Sequence, residues 1–461
     1  MTNLSTIEAD AALAAVSPED LAQRLGSAIR FETISHEDPT QFNQDAFVGL
    51  HHYLEATFPR VHAALTRETA GRCSLLYTWR GQDPALAPVL LLAHQDVVPV
   101  EAGTEREWTY PPFSGQVEGG FVWGRGSLDM KSTLLGILEA AEALLATGFC
   151  PRRSVLFAFG EDEEVGGWKG AAQLAALLRA RGVQPEYVLD EGLTITEGIV
   201  PKVRRPVALI GIAEKGCLSL ELSVEVAGGH SMIPPQETAI GVLSAAIVRL
   251  ERHPMPARLT GPAAQLMASL AVEMPPAMRL IMANRRLFGP LIVRTMTRTP
   301  SAAANFRTTT AATIFQAGVK ENVLASQARA VVNFRLVPGD TIAGVIDRVR
   351  RTIADPRVRI VETGAMRSEP SPISDTASPG FQTVERAIAR VYPGVAIAPS
   401  LVLGMTDSRH FAQLGCPCFR FSPLWNRPED LSRTHGVNER IGVDHYARAV
   451  QFYMQLIRAA A

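Results

Sequence analysis

The sequence predicts an α/β fold in which a mostly parallel sheet is divided by an inserted α+β domain. Helix-like and buried strand-like segments alternate through residues 1–213 and return in residues 366–461, whereas half-polar strands dominate residues 214–365. Alternation of strands with helices is typical of parallel sheets, and alternation of polar with apolar residues is typical of antiparallel ones. We therefore predict one domain, built from 1–213 and 366–461, around a second domain at 214–365.

The first domain opens with a helix signal at residues 17–29, where Ser17 is a suitable N-cap and Pro18 fits the first helical position. The next segments are the buried strand PVLLLAHQDVVPV, a helix at residues 131–146, and the strand RRSVLFAFGEDEE. The helix AAQLAALLRARG and the strand EYVLDEG continue this order. Polar residues end each strand, at the edge where open α/β sheets bind ligands.

The second domain is predicted from a change of pattern at about Gly216. CLSLELSVEVAGG reads as a half-exposed strand, and TTAATIFQAG, ARAVVNFRLVPG and VRIVETG as further strands beside two helices. Residues 257–304 are rich in Met and Arg and are predicted to be a helical insertion, either packed against this domain or lining a substrate groove or an interface. GFQTVERAIARVYP and CPCFRFSP then return to helix and buried strand.

The bulk composition is that of a globular protein without an electrostatic preference. The 461 residues suffice for two hydrophobic cores, and 47% hydrophobic with 20% charged residues is an ordinary composition. A net charge of -1 offers no footprint for nucleic acid or for an anionic membrane surface. We expect a small-molecule or short-peptide substrate and no nucleic-acid partner.

Targeting signals and disulfide patterns are not evident in the sequence. The segment MTNLSTIEADAALAAVSPEDL lacks a basic leader followed by an apolar run, and no segment has about 18 consecutive apolar residues. We expect a cytoplasmic protein without a membrane span. The five scattered cysteines favour reduced thiols over a disulfide framework.

Metal-type ligands occur in five segments, at predicted strand ends or in loops. Histidine and carboxylate groups without cysteine suit a divalent ion of hard to borderline character, and two ions if one carboxylate bridges them. From the residues alone, either member of the Asp190–Glu191 pair is a candidate. The five segments contain His94 with Asp96, Asp129, Glu163 with Glu164, Asp190 or Glu191, and His435.

A series of motifs resembles one family of zinc peptidases. LLLAHQDVVP, GRGSLDMKS, GEDEEVGG, VLDEG, GGHSMIPP, NFRLVPGD, GMTDSRHF and THGVNE follow one another between about residues 88 and 440. This order is similar to the family that contains carboxypeptidase S, aminoacylase and the glutamate carboxypeptidases. WTYPPFSG and RTTTAATIFQAG are most similar to the carboxypeptidase S branch. The resemblance implies a catalytic domain, residues 1–213 and 366–461, with a lid or dimerisation domain at 214–365.

The same resemblance implies two Zn²⁺ ions per chain, with Co²⁺ or Mn²⁺ as substitutes. Asp129 would bridge both ions. His94 and Asp190 would complete one site, and Glu164 and His435 the other. Aligning VLDEG with the family favours Asp190 over its neighbour.

The implied catalytic groups are Glu163, Asp96 and His230. Glu163 would be the general base, taking a proton from the attacking water and passing it to the leaving amine. Asp96 would orient the imidazole of His94 as an outer carboxylate. His230 would donate to the oxyanion, in a partner's active site if the lid domains form a homodimer.

The implied substrate contacts are Arg335, Asn322 and Arg409. Either arginine suits bidentate capture of a free carboxylate, and the sequence does not rank them. The resemblance implies cleavage of the amide bond of short peptides or of N-acyl amino acids that bear this carboxylate. The alternatives are an amidase specific for N-fatty-acyl amino acids and an inactive homologue that only binds small molecules. A serine hydrolase is disfavoured because no G-x-S-x-G elbow is present.

Overall fold

The fold has a large, mostly parallel α/β sheet and a second, antiparallel sheet, seen in a computed structural model that describes residues 17–259 and 261–459. The helices in these ranges are α1 (Pro18–Ile29), α2 (Gln44–Thr57), α3 (Pro59–Ala64), α4 (Lys131–Ala146), α5 (Ala171–Ala180), α6 (Ala239–Arg252), α7 (Gly261–Leu270), α8 (Pro276–Ala283), α9 (Arg285–Met296), α10 (Pro300–Ala303), α11 (Ile342–Ile353), α12 (Pro379–Val391), α13 (Ser408–Phe411) and α14 (Val443–Ala459). The strands are β1 (Thr66–Ala70), β2 (Ser74–Trp79), β3 (Val89–His94), β4 (Val117–Glu118), β5 (Phe121–Trp123), β6 (Val155–Gly160), β7 (Tyr187–Thr196), β8 (Val207–Glu214), β9 (Gly216–Glu225), β10 (Gly229–His230), β11 (Thr309–Ala317), β12 (Val323–Leu324), β13 (Gln327–Leu336), β14 (Arg359–Ser368), β15 (Ala396–Val402), β16 (Cys418–Asn426) and β17 (Arg440–Gly442).

The larger sheet has eight strands in the order β1-β2-β6-β3-β7-β16-β8-β15. Strands β6, β3, β7 and β16 are parallel neighbours, whereas β1 and β2 are antiparallel at one edge. Alternate residues of β3 join two different apolar clusters, with Leu91 on the face that carries α1, α4, α12 and α14, and Leu90 on the face that carries α5. Burial on both faces explains the unbroken apolar pattern of these strands. The predicted mostly parallel α/β fold is confirmed.

Local signals at helix starts are also borne out. The Ser17 hydroxyl accepts a hydrogen bond from the backbone N–H of Asp20, so this residue caps α1 as predicted. Helix α4 begins at Lys131 and ends at Ala146, the bounds read from the sequence.

The smaller sheet is antiparallel, in the order β11-β13-β9-β14. Helices α6 and α11 pack on one face of it. The prediction of a half-exposed strand at CLSLELSVEVAGG is wrong, because β9 is a central strand with neighbours on both edges and most of its residues are buried. Strand β14 continues to Ser368, beyond the predicted boundary at residue 365. The domain limits therefore stay predictions.

Helices α7 to α10 form the insertion expected at 257–304. Met267, Leu270 and Ile292 pack with Ala396 and Ala398 of β15, so this insertion covers one edge of the larger sheet. No helix in the described ranges is long and apolar enough to cross a membrane, and all five cysteines are free. The cytoplasmic location stays a prediction.

Candidate metal centre

The first group of polar side chains lies in or directly after three parallel strands of the larger sheet. His94 is the last residue of β3, the 3-10 turn Glu163–Val165 follows β6, and Glu191 lies in β7. Because β6, β3 and β7 are adjacent and parallel, these residues meet at the carboxyl edge of the sheet. This is the edge at which the sequence predicted a ligand site.

Asp129 lies between two imidazoles. Its Oδ1 is 3.0 Å from Nε2 of His94, and its Oδ2 is 3.0 Å from Nε2 of His435. Glu164 Oε1 lies 3.2 Å from the same nitrogen of His435. One carboxylate thus faces both histidines through different oxygens, which is the arrangement that a bridging ligand requires.

The geometry brings Glu191, and not Asp190, to this cluster. Glu191 Oε1 is 3.3 Å from His94 Nε2. Asp190 instead accepts hydrogen bonds from the backbone N–H of Ser408 at 2.6 Å and from that of Glu191 at 2.8 Å. Successive residues of a strand point to opposite faces, so only one of the pair can face His94. The structure therefore does not support the choice of Asp190.

Asp96 orients His94 and also binds the backbone of the turn Glu163–Val165, called the glutamate turn below. Nδ1 of His94 lies 2.9 Å from the carbonyl oxygen of Asp96 and 3.4 Å from its Oδ1. The two carboxylate oxygens of Asp96 accept from the backbone N–H groups of Glu163 and Glu164, each at 3.1 Å. The Ser35 hydroxyl donates to the same carboxylate. With Nδ1 engaged, Nε2 of His94 is left facing Asp129, which is the arrangement expected of an outer carboxylate.

The cluster concentrates negative charge in a buried place. Burial, reinforced by the charge of Glu191, raises the pKa of Glu163 well above its usual value. Burial and the charge of Asp129 raise the pKa of Glu191 to about 8. Hydrogen bonds to Asp129 and then to Glu164 raise the pKa of His435 to about 10. Carboxylates held this close are stabilised either by taking up a proton, as the raised pKa values of Glu163 and Glu191 indicate, or by a nearby cation.

The donor set fits a pair of divalent metal ions. Two groups of ligand atoms lie within 4.8 Å of one another, one formed by His94, Glu163 and Glu191, and the other by His94, Asp129 and Glu164. Imidazole nitrogen with carboxylate oxygen is the donor chemistry of zinc and similar ions. Buried, mutually repelling carboxylates are also the groups that a divalent cation stabilises.

Two of the other predicted residues lie together at the short two-stranded sheet of β10 and β12. His230 pairs with Val323 between β10 and β12, and the Asn322 carbonyl accepts from the backbone N–H of Ser231 at 3.2 Å. Both residues are exposed. Within the described part of the chain, no hydrogen bond or ion pair joins either residue to the cluster around Asp129, so their predicted roles stay predictions.

The two predicted arginines lie in different parts of the fold, Arg335 in the smaller sheet and Arg409 in helix α13. Arg335 is in β13, opposite Cys217 of β9. Arg409 is beside the glutamate turn, where its Nη2 donates to the Gly166 carbonyl at 2.6 Å and its buried Nη1 has no hydrogen-bond partner among the described residues. Arg409 is thus the arginine whose contacts place it near the cluster.

Comparison with known proteins identifies the family. The sequence matches Peptidase family M20/M25/M40 over residues 90–459. This chain belongs to that family. As a member of the M20 family, it is a metal-dependent peptidase or amidohydrolase, as the resemblance implied.

Relatives of known annotation and solved structures align with nearly the whole chain. The chain is 41% identical over 447 residues to a "Probable carboxypeptidase S-like 2" of Dictyostelium discoideum, covering 96% of this chain and 85% of the relative. It is 42% identical over 449 residues to the "N-fatty-acyl-amino acid synthase/hydrolase PM20D1" of Mus musculus, covering 95% and 88%. Its fold matches an M20 family metallo-carboxypeptidase from Sulfolobus solfataricus with a TM-score of 0.68 at 19% identity, covering 96% and 99%.

One pair beside the M20 centre was not predicted from the sequence. Arg125 Nη1 donates to Glu439 Oε2 at 2.6 Å, and both side chains are buried. Arg125 lies in the motif GRGSLDMKS and Glu439 in the motif THGVNE. Each motif also contains a predicted metal ligand, so the opposite charges of these two residues were a sequence signal for a contact between the motifs. Their contact spans more than 300 positions, which local patterns do not reveal.

Proposed function

We propose that this M20 protein uses two zinc ions to hydrolyse the amide bond of N-acyl amino acids or short peptides that bear a free carboxylate. The observation that carries the proposal is the position of Asp129 between His94 and His435. A carboxylate shared by two imidazoles is suited to bridge two ions.

Two ligand sets follow from the distances. His94, Asp129 and Glu191 would hold one ion, and Asp129, Glu164 and His435 the other. This assignment replaces Asp190 by Glu191 and otherwise keeps the ligands predicted from the sequence. When bound, two divalent ions polarise the scissile carbonyl group and lower the pKa of water.

Proton transfer is proposed for Glu163. Its neighbour Glu164 and its own backbone N–H are held by the turn and by Asp96, so its carboxylate is fixed beside the ligand cluster. A carboxyl group whose pKa is raised by burial can accept a proton from the attacking water and then return it to the leaving amine. Asp96 keeps His94 in the required orientation throughout.

Recognition of the substrate carboxylate is proposed for Arg409. The unpartnered Nη1 leaves one donor of its guanidinium available beside the glutamate turn. Arg335 would take this role only with the two domains closed, because β13 belongs to the smaller sheet. Asn322 and His230, which lie together and are exposed, would act on a substrate from the lid side.

An N-fatty-acyl substrate is the more specific candidate. Trp168 follows the turn Glu163–Val165 after two glycines and is 48% exposed, with its ring 5.1 Å from that of His410. An exposed indole beside the ligand cluster offers an apolar surface for an acyl chain. The similarity to the mouse N-fatty-acyl-amino acid synthase/hydrolase supports the same substrate class.

A homodimer through the smaller domain is also proposed. Strand β11 is an edge strand whose residues from Ala311 to Ala317 are exposed, including Ile314 and Phe315. An exposed apolar edge strand is a template for pairing with a second copy. Such a dimer would let His230 of one protomer approach the metal centre of its partner.

The test combines metal analysis with a substrate panel. We expect about two zinc ions per chain, hydrolysis of N-acyl amino acids, and no hydrolysis by Glu163→Gln with the metal retained. Glu118→Gln, a change at an exposed carboxylate, is the control and should keep full activity. Absence of metal or an active Glu163→Gln would contradict the mechanism. Activity confined to unblocked dipeptides would exclude the N-acyl class.

A further inference from the structure

A separate cavity lies between helix α9 and the chain that flanks the insertion. Its volume is about 750 Å³, within the range of small-molecule sites. None of its lining residues belongs to the ligand groups around Asp129.

Helix α9 has one face that packs against the protein and another that borders the cavity. Ile292 is buried and packs, with Phe288 and Met296, in the cluster that covers the edge of the larger sheet. Arg285, Gly289 and Val293, spaced four residues apart, lie on another face that borders the cavity. The apolar face therefore holds the helix in place, and the face that borders the cavity is available to contact a bound ligand.

Positive charge dominates the cavity. Four arginines line it, and no acidic residue is among the described residues of its wall. Arg258 pairs with Asp340 outside the lining. Arg285 and Arg294 are exposed and have no ion pair with any described residue. Guanidinium groups around one space repel each other, and an anion between them relieves this repulsion.

The fourth arginine, Arg307, adds a further positive charge to the wall. Nε of Arg307 is inaccessible to solvent and has no hydrogen-bond partner among the described residues. Because this Nε is closed to solvent, Arg307 contributes positive charge to the wall, and the accessible donors belong to the exposed Arg285 and Arg294. The remaining wall is apolar, with Leu259, Pro290 and Val293.

We propose that this cavity binds a single-chain amphiphile whose anionic head, a carboxylate or a phosphate, contacts the arginines while its alkyl chain packs on the apolar wall. Arginine recognises both head groups through its planar fork. The cavity adjoins the connection between the sheets, because the Arg307 carbonyl accepts from Nζ of Lys215 at 3.1 Å and Lys215 joins β8 to β9. The proposed site is independent of the hydrolytic chemistry.

Titration calorimetry on the metal-loaded protein tests the site with dodecanoate and dodecyl phosphate as probes. Dodecanol carries the chain without the charge. The double variant Arg285→Gln/Arg294→Gln removes two unpaired cations, and Arg298→Gln, an exposed arginine outside the lining, is the matched control. Gly289→Leu fills part of the cavity. No atom lies within 4 Å of a Cβ added at Gly289, so the leucine side chain fits without a clash and occupies the open space that this residue lines.

We expect the double variant and Gly289→Leu each to lose one equivalent of bound anion or to weaken its Kd about tenfold, while Arg298→Gln binds as wild type. The tighter of the two probes identifies the head group. Hydrolysis should be unchanged in all variants, which separates this site from the metal centre. Equal binding of dodecanol, no binding of either anion, or binding unaffected by both cavity variants would overturn the proposal.

Discussion

Arg125 and Glu439 join the two loops that carry Asp129 and His435. Arg125 Nη1 donates to Glu439 Oε2 at 2.6 Å, and its Nη2 donates to the carbonyl of His435 at 3.0 Å. Glu439 Oε1 accepts from the backbone N–H of Leu128 at 2.8 Å and from that of Asp129 at 3.3 Å. This buried pair therefore sets the distance between Asp129, the proposed bridging carboxylate, and His435, a proposed metal ligand.

Glu439→Gln should weaken metal binding without unfolding the chain. The amide keeps the size of the side chain but loses the charge that holds Arg125, so the two loops can separate. Outer-shell changes of this kind cost about 10- to 100-fold in metal affinity. Competition with a chelator measures the effect. Glu429→Gln, at an exposed position, should behave as wild type, and equal affinities in both variants would contradict the positioning role.

Substitutions at the adjacent acids distinguish the two proposed ligand assignments. Glu191→Gln should lower the metal content, because Glu191 is the member of the pair that faces His94. Asp190→Asn should mainly lower the unfolding temperature, because Asp190 accepts from the backbone N–H groups of Ser408 and Glu191. Metal analysis and thermal unfolding of both proteins separate the effects. Loss of metal only in Asp190→Asn would restore the assignment read from the sequence.

The buried ammonium of Lys215 should make stability depend on pH. Burial, with a smaller effect of Arg335, lowers the pKa of Lys215 from 10.5 to about 8 in the folded chain. Below about pH 8 both states are protonated and the cost of burial is fully present. Between about 8 and 10.5 only the unfolded state keeps the proton, so the folded state gains up to about 1.4 kcal/mol per pH unit.

Lys215→Met removes this dependence. Relative to the variant, the wild-type protein should gain stability as the pH rises from about 8 to about 10, measured as the urea midpoint. Lys320→Met changes an exposed lysine of the same domain and should leave the profile unchanged. Parallel profiles for wild type and Lys215→Met would show that the ammonium is not desolvated.

Ile314→Lys should prevent association if β11 forms the dimer contact. Ile314 is 44% exposed on this edge strand, and a lysine there blocks pairing between edges. Val361→Lys places the same charge on β14, the opposite edge, where Val361 is 41% exposed. We expect sedimentation to show monomers only for Ile314→Lys. Identical behaviour of the two variants would argue against β11 as the interface.

The sequence by itself determined the parts of this protein that depend on local pattern. Apolar runs that end in polar residues predicted the buried strands β3, β6 and β7, and Ser17 predicted the start of α1. The order of the motifs predicted the M20 family, and with it the cluster of histidines and carboxylates. These features depend on residues that are close together in the sequence, so they can be predicted without knowledge of the tertiary structure.

Tertiary structure alone decided the relations that depend on register and on distant contacts. Asp190 and Glu191 carry the same charge one position apart, and only the pairing of β7 determines which of them faces His94. Strand β9 is buried because it has two neighbours, which its own alternation does not reveal. The pairing of Arg125 with Glu439 depends on the fold, because no local pattern specifies a contact between residues 314 positions apart in the chain.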